Sequence, residues 1–203
     1  MNFNNLPFNW FDFVVPIVLA IGAQRGRKHG LSEELIPMSK WILIVVGCAF
    51  VYEPLGKFIS EATVFSLLSS YMMAYFAMAL FVLMLVALIK KSLGGKLLGS
   101  DVFGRGEYYF GVVAGAVRFL CMLIVVLAFL NARAYHQAEI TAYQKYEKDV
   151  YGNDFFPTLF RIQDEVFVKS FVGRQVREYL SFLLIQPTEP QQKELKRKQL
   201  DLP

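Results

Sequence analysis

Arg118 stands in a costly place: inside the apolar stretch Gly111 to Leu130, three residues after Gly115 and seven after Gly111. At about 100° per residue, Gly111, Gly115, Arg118, Met122 and Val125 fall within roughly 40° of one line along a helix. Small residues let helices approach closely in lipid, and a charge at this depth must face the bundle interior or a wet cavity. Two chemistries fit. Arg118 is either a structural cation, held by carbonyls and hydroxyls or snorkelling to the inner surface, or a group lining a polar path for an ion or substrate. Counted by depth, the hydroxyls of Tyr71 and Tyr75 are its expected partners, and Ser66, Ser69 and Ser70 extend them into a candidate polar track. Asp12, near the opposite boundary, is expected at the interface in contact with water.

Catalytic patterns are missing. His29 lies in a basic cluster, and the H-x-x-E of His136 and Glu139 lacks further metal ligands. There is no G-x-S-x-G, no P-loop and no pair of buried carboxylates, so no catalytic, cofactor or metal site is expected and the chain does not read as an enzyme. Cys48 and Cys121 both lie in apolar runs, where a thiol behaves as a small hydrophobe.

The elements that position these residues follow from composition. Of 203 residues, 55% are hydrophobic, 15% aromatic and only 19% charged, with a mean hydropathy of +0.40, above what a soluble domain of this size carries. The basic residues are scattered among apolar runs, which argues against nucleic acid as a partner. Four apolar stretches stand out: Phe8 to Ala23, Trp41 to Tyr52, Ala62 to Ile89 and Gly111 to Leu130. The last two suffice for a hydrocarbon layer of ~30 Å, while the second is short enough to be a half-span. Trp10, Trp41, Tyr52, Tyr108 and Tyr109 sit at run ends, as interfacial aromatics do. The expected fold is all-α and polytopic, with about four transmembrane helices in residues 1–130 and a small helical extracytoplasmic segment in 131–186. A charged tail follows in 187–203, expected to be disordered.

Orientation comes from the connections. The first, Gln24 to Lys40, carries Arg25, Arg27 and Lys28, with Gly26 between the arginines and Gly30 after them; the third, Lys90 to Phe110, is also basic, and the second and the N-terminus are not. Basic connections stay cytoplasmic, so both termini are expected outside, and the glycines allow a sharp turn between helices. Beyond the fourth run, Tyr135, Ala138, Ala142 and Tyr146 suggest that its helix continues toward Asp149. An amphipathic stretch from Leu159 to Ile185 either lies on the outer interface or packs on that extension.

Three stretches together resemble the colicin V production protein family: NWFD at 9–12, RGRKHGLSEEL at 25–35 and EYYFGVVAGAVR at 107–118. Tyr108 and Phe119 depart from the arginine and glycine usual in that family. The resemblance implies a four-helix protein of the bacterial inner membrane, linked to colicin V production or export and to envelope homeostasis, and it brings no defined biochemical activity. The expected partners are the lipid bilayer and other membrane proteins, or further copies of the chain, contacted through the glycine face of the fourth helix. The alternative is a small oligomeric channel or transporter with its polar path near Arg118.

Overall fold

The computed structural model describes residues 9–92, 106–151 and 158–189. Helix α1, Trp10–Ala62, is followed by α2, Leu67–Ser92, and α3, Gly106–Asn131, and all three are long and apolar enough to cross a membrane. Then come α4, Gln137–Tyr151, the short α5, Leu159–Asp164, a π-helical turn at Glu165–Lys169, and α6, Phe171–Tyr179. Among the described residues the fold is all-α; the one β-type pairing is an isolated bridge between Arg133 and Thr188.

Gly30 divides α1 into two arms, residues 10–29 and 31–62. Its φ of 75° and ψ of 173° lie in a region open to glycine and strained for any residue with a Cβ. The contacts show how the arms are related. Asn9 and Asp12 at the start of the first arm and Tyr52 of the second all touch the segment 165–186, so the chain doubles back at Gly30. On the first arm, Gly22 faces Gly115, Gly26 faces Gly111 and Gly30 faces Glu107, so α3 runs antiparallel to it. Gly56 faces Tyr71 and Gly47 faces Met78, which makes the second arm and α2 an antiparallel pair.

Several boundaries differ from those expected. The supposed connection Gln24 to Lys40 is helical on both sides of Gly30, because one glycine in an unusual conformation suffices to reverse the chain. The short run Trp41 to Tyr52 is the middle of a 32-residue arm, extended at both ends by residues too polar to mark it in a hydropathy reading. The fourth helix stops at Asn131, and α4 begins anew at Gln137. Most of the third connection and the C-terminal tail lie outside the described residues.

The inner faces of α1, α2 and α3 bury Ile44, Cys48, Tyr75, Leu127 and Ala128, while large apolar residues such as Met73, Phe76, Phe81, Met84 and Leu88 cover the outer face of α2. That much exposed hydrocarbon suits lipid, not water. Residues 158–188 form a cap over the end of the bundle where α1 starts and α3 finishes. Val166, Phe167, Leu184 and Ile185 of the cap join the same apolar core as Phe11, Val15, Tyr52 and Ala132, so cap and bundle share one interior.

Candidate functional site

Three small residues at four-residue spacing, Gly22, Gly26 and Gly30, meet Gly111 and Gly115 backbone to backbone. A methyl group on Gly26 would come within 2.9 Å of the Gly115 Cα, and one on Gly22 within 2.7 Å of the Gly115 carbonyl oxygen. In lipid, where apolar side chains gain little by leaving one apolar medium for another, such close approach is what holds two helices together. The glycine face of α3 is therefore filled by the chain's own first arm, and the expected contact with other membrane proteins through that face is corrected.

Glu107 completes the turn. Its Oε1 accepts a hydrogen bond from the Ser32 backbone N–H at 2.7 Å. The second arm starts at this point, and a carboxylate there meets N–H groups that have no helical partner and the positive end of the helix dipole. The cation of Arg27 stacks over the Tyr108 ring at 4.8 Å, while Arg25 and Lys28 point outward.

Arg118 finds a partner one turn into the second arm. Its Nη1 donates to both oxygens of Glu34, at 3.0 and 3.3 Å, and the Glu34 side chain is 3% exposed against 17% for Arg118. His29, whose Nδ1 is 2.8 Å from the Arg25 carbonyl oxygen, lies 3.9 Å from the same carboxylate. A buried charge is tolerable only when paired and hydrogen-bonded, and Glu34 meets that condition. Neither Glu34 nor Arg118 lines the crevices at the cap or the one beside Lys40.

The tyrosines are elsewhere. Tyr75 packs edge-on against Phe129 with ring centres 5.1 Å apart, about 16 Å along α3 from Arg118 at ~1.5 Å per residue. Its hydroxyl is buried with no hydrogen-bond partner among the described residues. Tyr71 packs against Tyr52 at 5.5 Å, beneath Gly56. The expectation that these hydroxyls hold Arg118 is thus corrected. Depth along straight spans favoured the tyrosines and left out Glu34, whose carboxylate reaches Arg118 only because residues 31–34 are helical and folded against α3.

Asp12 is also not a solvated interfacial group. It closes a capping box at the start of α1 with the Asn9 N–H, 2.8 Å from Oδ2. It also accepts from Ser170 Oγ at 2.7 Å, Val172 N–H at 2.8 Å and Phe171 N–H at 3.1 Å. The carboxylate therefore sits on the N-terminal end of α6 and fastens the cap to the bundle, as anions at helix N-termini do. Nearby, Trp10 Nε1 donates to Glu165 Oε2 at 2.5 Å and Asn131 Nδ2 to the Ile185 carbonyl at 2.9 Å. His136 pairs with Glu189 at 2.7 Å instead of joining Glu139 in a metal site, and no cluster of metal-ligating side chains occurs among the described residues.

Glu34, Glu107 and Gly22 are not among the site residues expected from sequence, although both acids lie within the stretches RGRKHGLSEEL and EYYFGVVAGAVR. The four-residue step from Gly22 through Gly26 to Gly30 was the available signal for the third. For the two acids, the signal was their presence beside glycines in otherwise apolar or basic surroundings.

Long apolar helices, a lipid-like outer surface and a reversed first helix define a multi-pass helical membrane protein. The family model described as colicin V production protein matches residues 11–145. The chain belongs to that family, which agrees with the three stretches NWFD, RGRKHGLSEEL and EYYFGVVAGAVR. Neither a curated protein nor a solved structure matches the chain.

Proposed function

We propose that the chain is a non-enzymatic factor of the bacterial inner membrane that supports toxin production or export, or envelope homeostasis, by contacting other membrane proteins. The observation that carries this reading is the Glu34–Arg118 pair, in which each charge is taken up by the other beside interlocked helix backbones. An arginine serving a conducting path would face water or substrate instead. The two arms of α1 together with α2 and α3 make four crossings. Arg25, Arg27 and Lys28 gather near the Gly30 turn, at the same end as Lys90 and Lys91 of α2, so this end faces the cytoplasm and the cap and both termini face outward. With the glycine face occupied, the surfaces left for partners are the cap and the outer faces of the helices.

The test is twofold. Cells lacking the chain are compared with cells restored by it, measuring toxin in the culture medium and resistance to detergent; no difference in either would refute the reading. Purified chain in liposomes should add no ion flux above that of empty vesicles, and a flux lost in Arg118→Leu would favour a channel.

A further inference from the structure

A crevice of about 240 Å³ opens between the second arm of α1 and the last turns of α2, at the basic end of the bundle. Its walls include Ile36, Leu83 and Val86, and two cations, Lys40 and Lys90, enter it from the two helices. The crevice differs from the neighbouring Glu34–Arg118 site in its charge balance. Lys40 and Lys90 line the same crevice, and Glu34 is already taken by Arg118. Neither lysine lies within ion-pair distance of a carboxylate among the described residues, and with Glu33 also lining the crevice one positive charge is in excess. Pro37, which also lines the crevice, has no N–H for the Glu33 carbonyl, so the helix is loosened where the groove opens.

We infer that this crevice binds the headgroup of an anionic phospholipid, with the phosphate held by Lys40 and Lys90 and an acyl chain lying against Leu83 and Val86. Three observations choose a lipid as occupant. The crevice is continuous with the exposed apolar face of α2, through Leu83, Met84 and Leu88. Lys90 stands two residues before the end of α2, at headgroup depth for a span that finishes there. Lys40 sits about 15 Å along the second arm from Gly30, at ~1.5 Å per residue, so its chain must extend toward that same boundary to solvate its charge. Paired lysines between helices at the basic face of a membrane protein match the charge of a phosphodiester, and apolar walls below them match its tails.

The experiment uses the full chain purified in a neutral detergent. It is titrated with phosphatidylglycerol, with zwitterionic phosphatidylcholine and, separately, with inorganic phosphate, and bound lipid is counted by native mass spectrometry. Phosphatidylglycerol should be retained in preference to phosphatidylcholine. Lys40→Gln and Lys90→Gln should each weaken retention about fivefold, which is ~1 kcal/mol at 1.4 kcal/mol per tenfold, whereas Lys91→Gln, outside the crevice, should leave it unchanged. Leu83→Trp, which fills the groove while keeping both lysines, should also lower retention and keeps the test open if a lysine variant fails to fold. Equal retention of both lipids, or unchanged retention in the folded lysine variants, would overturn the inference. So would inorganic phosphate displacing the lipid at equal concentration, which would mark a site for a free anion.

Discussion

Replacing Arg118 with leucine strands the Glu34 carboxylate in the bundle. Two nitrogen–oxygen contacts of 3.0 and 3.3 Å disappear, around a carboxylate that is 3% exposed. Breaking a buried pair from one side costs about 3–5 kcal/mol, and the lower figure applies here because Arg118 is itself 17% exposed and the vacated space can admit some water. A loss of ~3 kcal/mol lowers the folded-to-unfolded ratio about 150-fold. Glu34→Leu should cost a similar amount, since it leaves the guanidinium unpaired. The double variant Glu34→Leu/Arg118→Leu should return to within about 1 kcal/mol of the parent, because two apolar side chains replace a pair whose mutual attraction was largely offset by desolvation. Arg118→Lys should fall between, since one ammonium cannot reproduce both contacts in the same geometry. The assay is reversible unfolding in mixed micelles, followed by circular dichroism as denaturing detergent is added. Single-variant losses below about 0.5 kcal/mol, or a double variant whose loss is the sum of the singles, would refute this reasoning.

The helix interlock gives a second expectation. Gly26→Ala places a methyl 2.9 Å from the Gly115 Cα and should destabilise the bundle by about 1–3 kcal/mol in the same assay, and Gly115→Leu by more, whereas Val113→Leu on the exposed side should change it by less than about 0.5 kcal/mol. Asp12→Asn removes the charge from the α6 terminus and weakens several charge-assisted hydrogen bonds of the Asp12 carboxylate, so the cap should loosen. Limited trypsin digestion should then cut at Lys169 and Arg174 faster than in the parent, with the spans intact on a gel. In a background without Cys48 and Cys121, a cysteine at Gln144 should react with an impermeant thiol reagent in spheroplasts, and one at Lys28 should react only after lysis. The reverse pattern would invert the orientation.

Composition and loop charge were enough to read an all-α membrane protein, because hydrocarbon content and helical length are local properties of the chain. The glycines and Arg118 were legible as a packing face for the same reason: their spacing follows from helical geometry alone. What covers that face was not legible. It depends on Gly30 reversing the first helix, and the sequence around Gly30 reads equally as a basic loop. Once the chain doubles back, Gly22 and Gly26 become the partners of Gly111 and Gly115, and Glu34 arrives beside Arg118. Asp12 misled for a similar reason. Beyond the Asn9 capping box, its partners Ser170, Phe171 and Val172 lie about 160 residues away at the start of α6, a distance over which no spacing rule carries information.

The central claim is that Glu34 and Arg118 form a structural clamp and not a polar path, and a charge exchange tests it most directly. The double variant Glu34→Arg/Arg118→Glu keeps one cation and one anion at the same contact but removes the arginine from α3. Measured by recovery of detergent resistance in cells lacking the chain, the account predicts that each single exchange fails with little protein in the membrane. The double exchange should restore both protein level and a substantial part of the activity. A double variant that accumulates to the parental level, unfolds like the parent and yet restores nothing would contradict it, because the arginine itself, and not the pairing, would then be what the activity needs.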